Sequence, residues 1–143
     1  MPPFEEIESL VGRPVPAELA ALLERYPSEL TAFAAKLGFA PREQFLYPDA
    51  KTLLWANQMV REEDIWTEEG PWPKGFLDIG CDIGGDHFAL ALTEAPPRVH
   101  RLHHDTGKFH LLVPSLDAYV AGLLRLARAE VKSLKTAFEQ SSE

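Results

Sequence analysis

Between Gly75 and Leu92 the apolar positions read as strand, glycine turn, strand. Phe76, Leu77 and Ile79 form the first run, and Phe88, Leu90 and Leu92 alternate on one face of the second. Gly80, Gly84 and Gly85 lie between them and supply backbone angles that most residues disfavour. Upstream the period is helical. Leu19, Leu22 and Leu23 follow Pro16, which suits a first helical turn because its missing N–H is not needed there. They predict a helix over Ala17 to Tyr26 that Pro27 interrupts. Ser28 is placed to cap a second helix, Glu29 to Leu37, with Leu30, Phe33, Ala34 and Leu37 on one face and Gly38 ending it. Asp49 is placed to cap a third, Ala50 to Arg61, carrying Leu53, Leu54, Ala56 and Val60.

Thr67 to Pro73 contains Gly70, Pro71 and Pro73 and must be a loop. Beyond the hairpin, Pro96-Pro97 precede a third strand, Arg98 to His104. Asp105-Thr106-Gly107 is a turn, and Lys108 to Val113 a fourth strand. Connections this short leave no room for a crossover helix, so the strands pair antiparallel. Ser115 caps a last helix whose apolar stripe is Leu116, Val120, Leu123, Ala127, Val131 and Leu134. Arg125, Arg128, Lys132 and Lys135 share another face, which Glu139 continues with the opposite sign. That face reads as solvated rather than nucleic-acid-binding, and the tail after Phe138 is expected to fray. Helices grouped before strands, with one closing helix, predict a single α+β domain over residues 1–143. It has N-terminal helices, a mainly antiparallel central sheet and a long C-terminal helix packed on it. The sheet should bury one face and leave the other partly open.

Composition narrows the setting. The single Cys81 excludes an intrachain disulfide. No apolar run approaches the roughly 18 residues that span a membrane. The opening Met1-Pro2-Pro3-Phe4-Glu5-Glu6 lacks the basic and apolar regions of a signal peptide, so a cytoplasmic protein is expected. Net charge is −8, and its placement matters more than its size. From Leu116 onward acids and bases balance. Between Glu62 and Asp86, eight acids face only Lys74. Phosphate-backbone binding needs the opposite sign, so nucleic acid is not the expected partner and a basic protein is.

The order of features from Trp72 to Leu124 resembles the SUKH superfamily of Smi/Knr-like domains. Pro73 with Gly75-Phe76, Ile79-Gly80, Gly84-Gly85-Asp86, Phe88 to Leu92, His104-Asp105, and Ser115 with Leu116 match its successive motifs. Pro16-Ala17-Glu18-Leu19 looks like its opening helix start. Arg101-Leu102-His103-His104 stands where an aromatic pair is commoner. The resemblance implies an α+β domain with no known catalytic role. Bacterial members are similar to immunity proteins that neutralise a cognate toxin, often a nuclease, by stoichiometric binding. Eukaryotic relatives are interaction modules.

Three constellations carry the candidate chemistry. Asp82, Asp86 and Asp105 flank the turns, where exposed carboxylates would meet a toxin's lysines and arginines; Asp86 can equally bond the backbone of its own turn. Glu62, Glu63, Asp64, Glu68 and Glu69 would steer such a partner, and Trp66 and Trp72 would anchor it, although a loop Trp can equally pin its loop to the core. Trp55 reads as core. His87, His100, His103, His104 and His110 with Cys81 have no recognised ligand spacing, so no metal or other cofactor is expected. Cys81 beside a histidine invites a nucleophile–base reading with no third group to orient it. The leading expectation is therefore a non-enzymatic immunity-type domain. The alternatives are an adaptor module without a toxin and, further off, a small metal-dependent hydrolase. A homodimer through an edge strand is left open.

Overall fold

A computed structural model describes residues 3–62, 65 and 67–139. Among these residues the chain forms helices α1 (Pro3–Val11), α2 (Ala17–Glu24), α3 (Ser28–Leu37) and α4 (Ala50–Glu62). Strands β1 (Phe76–Cys81), β2 (His87–Ala91), β3 (Arg98–His103) and β4 (Lys108–Val113) follow, then α5 (Leu116–Ala127) and α6 (Leu134–Glu139). The strands form one antiparallel sheet in the order β1-β2-β3-β4, so the α+β class stands. No described helix is long and apolar enough to cross a membrane.

Local chemistry explains most boundaries. The Asp49 carboxylate accepts the Thr52 N–H at 2.8 Å and starts α4, and Ser115 Oγ accepts the Ala118 N–H at 3.1 Å and starts α5. Gly38 closes α3 at φ 73°, its N–H directed to the Ala34 and Ala35 carbonyls. Ser28 does not cap α3. It is the first helical residue, Pro27 holds the cap position, and no side chain caps there. Helix α1 was not expected. Its buried Ile7 and Val11 pack toward α4, and Phe4 joins the same cluster.

The long C-terminal helix is two helices. α5 ends at Ala127, Ala129 takes φ 60°, and α6 folds back on α5. Gly122 permits this return, since a Cβ there would lie 2.4 Å from a Phe138 ring carbon. The Phe138 ring stacks on Tyr119 at 5.4 Å. The four bases expected on one face are consequently dispersed. Arg125 donates to the Ala137 carbonyl, Arg128 forks onto Glu29 at 2.6 and 2.7 Å, and Lys132 lies in the connection.

Two apolar clusters sandwich the sheet. The larger joins Leu77, Ile79, Phe88, Leu90 and Val99 to Leu19, Leu30, Leu53, Tyr119 and Leu123. The smaller, on the opposite face, joins Ala89 and Leu102 to Val60 and Trp72, with Phe76 and Phe109 at its margin. The segment before α4 runs along the outer side of β1. The Tyr47 N–H donates to the Ile79 carbonyl and the Cys81 N–H to the Gln44 carbonyl, both at 2.9 Å. Gly80 makes that approach possible, for a Cβ there would fall 1.8 Å from the Phe45 carbonyl oxygen.

Candidate functional site: an acidic rim at one end of the sheet

The β1–β2 and β3–β4 turns emerge at the same end of the meander. In the first, the Asp82 N–H donates to the Asp86 carbonyl at 2.9 Å and the Gly85 N–H to the Asp82 carbonyl at 3.2 Å. Gly85 sits at φ 104°, a region costly for other residues. In the second, the Gly107 N–H reaches the His103 carbonyl at 2.8 Å.

Asp86 joins the two turns. Its Oδ1 accepts the His104 N–H at 3.0 Å and lies 2.5 Å from His104 Nδ1, while its Oδ2 accepts Arg101 Nε–H at 2.9 Å. Arg101 also donates through Nη2 to Asp82 Oδ2 at 3.0 Å, and its guanidinium lies 5.4 Å from the Phe88 ring centroid. The remaining Asp82 oxygen accepts the Asp86 N–H at 2.9 Å. A carboxylate only accepts, so His104 Nδ1 carries the proton in this bond. Burial opposes the charge on Asp86, but the His104 N–H, the His104 ring and Arg101 together hold its carboxyl down to about 2. The same bond to Asp86 raises the His104 imidazole above its ordinary value. His103 stands 3.6 Å from Asp86 Oδ2 and packs edge-on to His110 at 4.9 Å.

Asp82 and Asp86 are therefore not the exposed, available carboxylates that the partner-binding expectation required. Asp86 is 7 % exposed, and both are braces that share the Arg101 guanidinium. The outward charge comes from their neighbours. The Glu68 N–H donates to the Gly107 carbonyl at 2.7 Å, setting the Thr67–Gly70 turn against the β3–β4 turn. Glu68, Glu69 and Asp105 are exposed there and make no side-chain hydrogen bond among the described residues. Ile83, 76 % exposed, crowns the adjacent β1–β2 turn.

The other expected residues divide. Glu62 is exposed at the end of α4, away from the rim, because the neighbouring Arg61 reaches the Lys74 and Phe76 carbonyls at the start of β1. Trp72 is not an exposed anchor. It is 5 % exposed, donates Nε1–H to the Phe76 carbonyl at 2.8 Å, and packs edge-on to His87 and Phe109. It pins the acidic loop to the sheet. Trp55 is half-buried beneath the Arg42 guanidinium. Glu63, Asp64 and Trp66 lie outside the described residues.

A second polar cluster is internal. Asp78 is fully buried, and its Oδ2 meets Tyr47 Oη and His87 Nδ1, each at 3.0 Å. Asn57 spans from α4 to β1, donating to the Leu53 and Asp78 carbonyls and accepting the Asp78 N–H. Burial and the nearby Asp78 charge push the Cys81 thiol up to about 12. The thiol is thus held protonated, opposite to what an activated nucleophile needs, and His87 is committed to Asp78. Among the described residues no group of three or more His, Cys, Asp or Glu is arranged to hold a metal ion.

Sequence reasoning missed Arg101, Tyr47 and Ile83. Arg101 was legible only as the second of two arginines in β3. Tyr47, 31 residues from Asp78, carried no local signal. No protein-family model matches this chain, and searches of curated proteins and of solved structures found no match.

Proposed function

We propose that this protein is a non-catalytic, cytoplasmic binding domain that captures a basic protein partner at the acidic rim and acts by occluding it. The SUKH-like motif order supports an immunity-type reading, with a nuclease-type toxin as the partner. The observation that carries the proposal is the exposure of Glu68, Glu69 and Asp105 around the β3–β4 turn, at the same end of the sheet as the β1–β2 turn with its exposed Ile83. Outward carboxylates steer a basic surface, and a rigid apolar tip offers it a contact that excludes water. The braced turns lower the ordering cost of docking, since Arg101 and His104 already fix their shape.

The test is a pull-down of the tagged protein from its native host at low and high salt, repeated with Glu68→Gln, Glu69→Gln and Asp105→Asn combined. A basic protein should be retained at low salt and released as salt rises. The triple variant should slow its association about tenfold at low salt, with folding unchanged. Equal retention by both forms at both salts would remove the proposal. Protection of cells from a toxin encoded beside this gene separates immunity from an adaptor role.

A further inference from the structure

The two edges of the sheet are treated differently. The outer side of β1 is closed: Tyr47 and Gln44 bond to Ile79 and Cys81, and Asn57 satisfies both the N–H and the carbonyl of Asp78. The outer side of β4 is open. Among the described residues, no backbone–backbone hydrogen bond outside the sheet involves Phe109 to Val113. Lys108, His110 and Leu111 are exposed there, Leu111 to 52 %. Natural edges are blunted by charge, proline, bulges or cover. β4 carries one charge and no proline. Its bulge, where Leu112 is the extra residue between the Val99–Val113 and His100–Leu111 pairs, leaves Phe109 to Leu111 as a regular, unoccupied run, while the Lys108 N–H is taken by Thr106 Oγ1.

Charge selects the occupant. A groove over the sheet face next to β4 is lined by Phe76, His100, Lys108 and Phe109, with Glu68 and Glu69 also bordering it. Asp105 lies in the turn that leads into the strand. A second copy fits poorly. Antiparallel pairing of two β4 strands would set each acidic end beside the other's Val113 end, whose base Arg98 is already held by Glu94 at 2.8 Å. We propose that the free edge of β4 receives an extended, lysine- or arginine-bearing segment of the partner as an added strand, with its basic side chains meeting Glu68, Glu69 and Asp105. The backbone supplies hydrogen bonds and the rim selects sequence, as in other strand-addition complexes. This inference rests on the acidic-rim reading and names how the partner engages it.

The experiment titrates the isotope-labelled full-length protein with a short synthetic peptide of alternating lysine and valine, and follows amide hydrogen exchange residue by residue. Slowing of exchange by about tenfold or more along Phe109 to Leu111 is expected. Leu111→Lys, at an exposed position that tolerates charge, and the Glu68/Glu69/Asp105 triple variant should each weaken binding about tenfold. Shifts confined to the rim turns, with β4 exchange unchanged, overturn strand addition and leave the rim reading standing. Absence of any peptide binding also overturns it, as does protection of β4 by self-association without peptide. Binding indifferent to the rim substitutions overturns it together with the rim reading.

Discussion

Asp86→Asn separates a brace from a binding carboxylate. The two oxygens of Asp86 serve different donors, Oδ1 the His104 backbone and ring and Oδ2 the Arg101 guanidinium. An amide offers one oxygen and one NH2 group, so whichever way it turns, one donor set faces another donor. A hydrogen bond to a charged group contributes about 1.5–3 kcal/mol. Losing one at this largely covered position predicts a cost of about 2 kcal/mol. The titration behaviour gives a second route to the same figure. A carboxyl lowered from 3.8 to about 2 by folding contributes about 2 kcal/mol at neutral pH. Because the folded value is the depressed one, that stability is complete above the unfolded value near 4 and is lost as pH falls through about 2. Urea denaturation of both forms across this range reads the difference directly. The gap should be about 2 kcal/mol at about pH 7 and close to half that at about pH 3. A gap that stays constant over the range would refute the brace.

Three further substitutions probe the supports of the site. Gly80→Ala places a Cβ 1.8 Å from the Phe45 carbonyl oxygen; backbone cannot yield as a flexible side chain can, so denaturation should show a loss of about 3 kcal/mol or more, and a loss under about 1 kcal/mol contradicts the close approach. Asn57→Ala orphans the buried N–H and carbonyl of Asp78. It should cost about 3 kcal/mol and speed exchange of the Asp78 amide, while unchanged exchange would show that Asn57 does not hold it. His87 is opposed by burial but raised overall by Asp78. Its NMR titration midpoint should lie above the usual value near 6.5 and fall in Asp78→Asn. The raised value means that its contribution is complete below about pH 6.5 and is lost as pH rises through the folded midpoint.

Elements with a strong period or a local punctuation mark were legible in the sequence. The β1–β2 hairpin, the Asp49 and Ser115 caps and the Gly38 stop all follow from residues within one turn of the feature they cause. Apart from Ser28, which Pro27 displaces from the cap position, the failures share one physical cause, which is contact between distant segments. The stripe from Leu116 to Leu134 has helical spacing on both sides of its break, and what interrupts it is Phe138 returning over Gly122. Helix α1 shows Phe4, Ile7 and Val11 at workable spacing, but its short apolar set gains its meaning only against α4. At the site, the glycine turns marked the rim correctly. The partners of its aspartates did not show, because register across β2 and β3 is what brings Arg101 opposite Phe88 and within reach of both carboxylates.

Carboxylates that look equivalent along the chain thus fall into two groups with different physics. Asp78, Asp82 and Asp86 are held by Tyr47, His87, Arg101 and His104, and their charge is spent inside the fold. Glu68, Glu69 and Asp105 face water. The second group adds to the long-range field that would steer a partner without bracing the fold. Neutralising Asp82 and Asp86 would alter the shape of the rim as well as its charge, since it releases Arg101 and loosens the link between the turns. A binding defect in those variants would therefore not identify electrostatic capture. Neutralising the outward acids changes the field while leaving the brace intact. If the rim works by attraction, those residues should govern the salt dependence of association, and the Asp82–Asp86 brace should govern how well the docked complex fits.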